Sequence, residues 1–134
     1  MLNVNQSRSI RTSFYGVNPG KEHLRPTFAD NTKFDSNAMA AASWDYPLGT
    51  MLHVLNPATG INHVVEVKDR GPNKRLLKDS VSPNGTIMPA RQMDLTIGAY
   101  KALGLDTAKG LGNVVVTPIL NKYASALKGV KNGR

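Results

Sequence analysis

Apolar residues recur along this chain at every second position, in short runs that turn-forming residues cut off. The clearest run is Val64 to Lys68. Val65 and Val67 point to one face and Val64, Glu66 and Lys68 to the other, the pattern of a half-buried strand. Gly71 and Pro72 stop it, because proline has no amide hydrogen and glycine permits a sharp turn. Leu48 to Leu55 alternates in the same way, and Asn56 to Gly60 turns the chain into a strand from Ile61 to Lys68, predicting a hairpin with a five-residue loop. Ile10 to Tyr15 reads as a strand ended by Gly16 and the turn signal Asn18-Pro19-Gly20, and Asn113 to Leu120 as a last strand. Ala38 to Ala42 fits either a buried strand or a helical turn.

Two helices are expected. Asp94 to Gly104 places Leu95, Ala99, Ala102 and Leu103 on one face and ends at Gly104, and Tyr123 to Val130 suits a small basic helix. Residues 21–37 form a long polar loop suited to lining a cleft, and residues 73–90 a second excursion turning at Ser82 to Gly85. Six strands with one or two short helices predict a mainly β fold, a small closed barrel.

A length of 134 residues suits one domain with one core. No apolar run approaches the ~20 residues of a membrane span. Seventeen basic against nine acidic residues give a net charge of +8, a field that favours polyanionic partners such as nucleic acid, anionic lipid or the acidic polymers of a bacterial envelope. The basic residues are scattered, apart from Lys68, Arg70, Lys74, Arg75 and Lys78 and the tail Lys122, Lys128, Lys131 and Arg134. They are not interleaved with aromatics, so nucleic acid ranks last among these partners.

No cysteine is present, which excludes disulfides and thiolate metal sites, and His23, His53 and His63 share no ligand spacing. Neither a metal nor a cofactor is expected. The first eight residues lack the basic-then-apolar pattern of a secretion signal, so the expectation is a leader already removed or a route to the target that needs none.

The candidate chemistry gathers where the Val64 strand ends. Asp69 and Arg70 put a carboxylate and a guanidinium on a rigid strand end, which positions them better than a loop would. The guanidinium has two openings, pairing with Asp69 or meeting a substrate carboxylate. Trp44, the only tryptophan, suits stacking on a sugar ring or partial burial at one end of the barrel.

Taken together, Thr12 to Gly16, Phe34-Asp35, Ala40 to Ala42, Pro47 to Thr50, Asn56 to Gly60, Val64 to Pro72, Met93 to Thr96 and Leu103-Gly104 resemble, in order and rough spacing, the rare lipoprotein A family. The resemblance covers about residues 10–120. It leaves residues 1–9 as an extension and 121–134 as a basic tail, with residues 21–33 and 73–91 longer than the family pattern.

The resemblance implies a six-stranded double-psi β-barrel, related in fold to the expansins. It also implies a peptidoglycan-directed domain of lytic transglycosylase type, in which one carboxylic acid protonates the glycosidic oxygen and the sugar's own 6-hydroxyl closes on the anomeric carbon. Asp69 matches the family's principal acid, with Asp94 expected close by. Thr12, Tyr15, Ser43, Trp44 and Arg70 are the expected substrate contacts. At Ser43 the family usually carries histidine, and Thr32 stands where it has a glutamate, so the activity expected is weak or lost.

The alternative is a non-catalytic structural or glycan-binding component of a larger assembly, such as a phage particle that touches the cell wall, joined to its neighbours through the basic termini. The expected location is accordingly the bacterial envelope or a virion.

Overall fold

The computed structural model describes residues 7–16 and 26–119. Six strands close a barrel, in the order β1 (Arg8–Tyr15), β7 (Met93–Thr96), β2 (Ala40–Ser43), β4 (Asn62–Asp69), β3 (Met51–Leu55) and β8 (Gly112–Pro118). Two pairings are parallel, β1 with β7 and β2 with β4, and the others are antiparallel. A separate two-stranded hairpin, β5 (Ser80–Val81) and β6 (Ile87–Met88), forms the excursion between β4 and β7. One α-helix occurs among the described residues, α1 (Ile97–Ala102). The architecture is a double-psi β-barrel.

The period-two pattern builds the core directly. Val65 and Val67 of β4, Leu52 and Val54 of β3, and Val114 and Val116 of β8 are all at most 1% exposed. Each such side chain contributes roughly 1.5–3 kcal/mol on burial. Val64, on the opposite face of β4, is exposed. The expected β3–β4 hairpin forms, with residues 56–61 as its connection, one residue longer than expected, and Asn56 organises it. Its amide donates to the Ile61 carbonyl at 2.8 Å and its carbonyl accepts from Gly60 at 2.8 Å, while its side-chain Nδ2 donates to the Leu103 carbonyl at 2.8 Å. Gly60, at φ 80°, supplies the left-handed turn this needs.

Two expectations need correction. The segment from Asp94 does not begin a helix: Met93–Thr96 is a strand, bonded to β1 on one side and β2 on the other. Thr96 makes the switch, since its Oγ1 accepts from the Ala99 amide at 3.3 Å as N-cap and donates to the Ala38 carbonyl at 2.5 Å. Ala102, expected on the buried helix face, is exposed. Ala40–Ser43, ambiguous in sequence, is a strand. The Asn18-Pro19-Gly20 turn and the Tyr123 to Val130 helix lie outside the described residues.

Helix α1 sits tightly on the loop before β2. A Cβ on Gly98 would fall 2.6 Å from Asn37 Cα and 3.0 Å from the Ser36 carbonyl oxygen. Gly98→Ala is therefore expected to lower stability by about 1–3 kcal/mol, as overpacking against backbone does. Tyr100 offers the opposite case: it is fully buried against Phe14, with ring centroids 4.8 Å apart, and its hydroxyl has no hydrogen-bond partner among the described residues. Tyr100→Phe should leave the melting temperature unchanged or raise it. Thermal denaturation of the two variants checks both expectations.

Candidate functional site

Strand β2 organises the site because it lies between the two strands that carry the aspartates. Ala42 is the Cα partner of Asp94 on β7 and of Asp69 on β4. A register shift between Ala41 and Ala42 makes this possible: Ala41 faces Val67, the next pairing skips Lys68, and Asp69 comes level with Ala42. Two strand spacings put the aspartate Cα atoms about 10 Å apart. The turn after Asp69 then folds back toward Asp94. A Cβ on Gly71 would stand 3.2 Å from Ala42 Cβ and 3.4 Å from Asp94 Oδ2, so a glycine there lets the backbone approach that carboxylate.

Asp69 is 8% exposed and firmly oriented. Its Oδ1 accepts from the Ala29 amide at 3.1 Å and the Arg70 amide at 3.0 Å, and its Oδ2 from the Tyr15 hydroxyl at 3.2 Å. Asp94 Oδ1 accepts from the hydroxyl of Ser13, its register partner on β1. Tyr15 is carried by an aromatic cluster: its ring lies 6.0 Å from Phe34, which lies 4.9 Å from Phe28.

The segment holding Phe28 and Ala29 is pinned to β4. The Asp30 amide donates to the Lys68 carbonyl at 3.1 Å, and the Lys68 ammonium pairs with Asp30 Oδ2 at 2.9 Å. Burial pushes the Asp30 carboxyl upward, but hydrogen bonds from Thr32 and Lys68 outweigh it and hold the group below its ordinary value.

The remaining expected contacts divide. Tyr15 reaches the Asp69 carboxylate directly. Trp44 is exposed beside the turn, its indole N–H donating to the Pro72 carbonyl at 2.6 Å. Arg70 places Nη1 2.8 Å from the Ser43 carbonyl and 2.6 Å from that of Tyr46, so its guanidinium clasps the turn after β2. Ser43 is buried, and its hydroxyl accepts from the Asp45 amide at 3.0 Å. Thr12, expected as a substrate contact, is fully buried, and its hydroxyl donates to the Ser13 carbonyl at 2.9 Å. Thr32, exposed, bonds Asp30 through both its amide and its hydroxyl.

Ala29, Ser13 and the Asp30–Lys68 pair were not legible as site residues. A backbone amide leaves no trace in residue type, and Asp30 and Lys68 meet only through the fold. Among the described residues no group of His, Cys, Asp and Glu could hold a metal ion, and no helix is long and apolar enough to cross a membrane. A surface groove of about 640 Å³, lined by Arg8, Arg11, Gln92 and Asn113 among others, includes neither aspartate.

No family model matches the chain. Over 104 residues, 78% of its length, it is 36% identical to a "Probable endolytic peptidoglycan transglycosylase RlpA" of Synechocystis sp.. Over 93 residues it is 37% identical to a protein of the same description from Nostoc sp.. The chain spans about a quarter of these curated relatives, 26% and 21%. Among solved structures, a Streptomyces papain inhibitor aligns with a TM-score of 0.56 at 15% identity, covering 89% of this chain and 99% of that one. A Clavibacter michiganensis expansin in complex with cellohexaose aligns with a TM-score of 0.54 at 18% identity, covering 85% of this chain and 50% of that one. At these identities the structural likeness shows the fold.

The Asp30 pair gives a pH expectation. A lowered carboxyl value stabilises the folded loop fully above the unfolded value near 3.9 and loses that contribution as pH falls through the folded value, which lies below 3.8. The Ala29 amide should therefore keep its bonded NMR shift at pH 5 and move only in stronger acid. In Asp30→Asn it should already be displaced at pH 7.

Proposed function

Because the chain belongs to the double-psi β-barrels of the rare lipoprotein A type, we propose that it is a peptidoglycan-directed domain of the bacterial envelope. It binds a glycan strand across the ends of β4, β2 and β7 and cleaves it weakly and without water through Asp69. The observation that supports this most is the fixed Asp69 carboxylate, held by two amides and a tyrosine hydroxyl level with Asp94 across one intervening strand.

In this reading Asp69 donates a proton to the glycosidic oxygen as the bond to the anomeric carbon breaks. It then takes the proton of the sugar's 6-hydroxyl as that oxygen closes on the anomeric carbon. One group serves both transfers, and the product carries an anhydro end. Asp94, also a carboxylate, faces the positive charge that develops on the ring. Tyr15 and the Ala29 amide keep Asp69 in register with the bond. Ser43 takes no part in these transfers, because a serine hydroxyl does not ionise near neutral pH; its oxygen accepts from the Asp45 amide.

A second reading, glycan binding without cleavage, is favoured by that same serine. The structure offers no second acid–base group at the position where the family usually has histidine.

Digestion of purified peptidoglycan, with anhydro-sugar ends counted by mass spectrometry, separates the two. The first reading expects a slow but measurable release that falls by 10²–10⁴-fold, the usual worth of a positioned acid–base group, in Asp69→Asn. That variant should still sediment with isolated sacculi. Retained binding with no anhydro ends from the wild type would favour the second reading, and failure to bind sacculi at all would sink both.

A further inference from the structure

Trp44 follows β2 directly and remains 41% exposed, with its indole fixed to the Pro72 carbonyl. The Lys74 ammonium sits over this ring, 4.5 Å from its centroid. Lys74 opens the 3-10 turn at Lys74–Leu77 and is itself exposed. The ring attracts the cation but takes none of its three N–H donors in a hydrogen bond. No hydrogen bond or ion pair to Lys74 occurs among the described residues.

The neighbouring carboxylates are engaged elsewhere. Asp45, next to Trp44, pairs with Arg8 at 3.0 Å, and Asp79 accepts from the Ala90 amide at 2.7 Å. Arg75 and Lys78, also exposed, keep this turn strongly positive. An exposed ammonium held over a tryptophan, with no counterion among the described residues, is arranged for an anion brought by a ligand.

From this arrangement we infer that Trp44 and Lys74 form one subsite that selects glycans bearing carboxylate substituents over neutral glycans. The sugar packs on the open part of the indole while Lys74 takes the carboxylate. Arg70, by contrast, turns its guanidinium Nη1 to the Ser43 and Tyr46 carbonyls. The inference rests on the glycan-binding reading above and adds to it the chemistry that is recognised.

The test measures binding to two insoluble polymers at fixed salt: isolated sacculi, which carry carboxylates, and chitin, a neutral β-1,4-linked polymer of N-acetylglucosamine. The wild type should prefer sacculi. Lys74→Gln should weaken sacculus binding about tenfold, the size of one charge-assisted hydrogen bond, and leave chitin binding unchanged. Lys74→Arg keeps the cation over the ring and should restore the preference. Lys101→Gln, which removes an equal charge from the exposed face of α1, should change neither.

No loss in Lys74→Gln, an equal loss on both polymers, or an equal loss in Lys101→Gln would each overturn the subsite while sparing the glycan-binding reading. If the wild type bound neither polymer, that reading would fall and the subsite with it.

Discussion

The register of β2 against its two neighbours is the constraint on which the site depends. Ala40, Ala41 and Ala42 are each at most 2% exposed, because the strand is covered on both faces. Ala41 packs into the barrel core, while Ala40 packs against Phe28 and Phe34. Ala42 carries the crossing itself. It pairs with both aspartates, and its methyl lies 3.2 Å from where a Gly71 side chain would start. A larger residue at 42 would press the returning turn away from Asp94, at an overpacking cost of about 1–3 kcal/mol. The run of small residues is thus what lets two acidic strand ends share one level.

The second layer of support comes from outside the barrel. Phe28 and Phe34 anchor residues 26–34, and Asp30 ties that segment to Lys68, the residue skipped by the register shift. The shift therefore does two things: it brings Asp69 level with Ala42, and it leaves Lys68 free to hold the loop whose Ala29 amide orients Asp69. Stability and site geometry are coupled here, since loosening the loop removes a donor from the carboxylate without disturbing the barrel core.

Much of the barrel was readable from alternation alone. Val65 and Val67, the Asn56–Gly60 turn and the stop at Gly71-Pro72 each carry a local signal that the tertiary structure keeps. The start of α1 was misplaced because Met93, Leu95 and Thr96 fit both periods, and only pairing with β1 and β2 decides for a strand. Thr12 looked polar and near the site, yet strand parity turns it inward, where its hydroxyl finds the Ser13 carbonyl. Arg70 was correctly placed at the strand end, but nothing local revealed that its guanidinium would close the turn after β2. Positions of side chains on strands were legible; partners supplied by distant backbone were not.

A glycan-binding surface at the ends of β4, β2 and β7, as proposed, must register contact with the sugar in its own backbone amides. Titrating isotope-labelled protein with a soluble peptidoglycan glycan fragment, and following backbone amide shifts by NMR, tests it most directly. The largest changes should fall on Ser13, Tyr15, Ala29, Ala42, Trp44 and residues 69–71. Changes confined to the β5–β6 hairpin, or to the groove lined by Arg8, Arg11, Gln92 and Asn113, would contradict it.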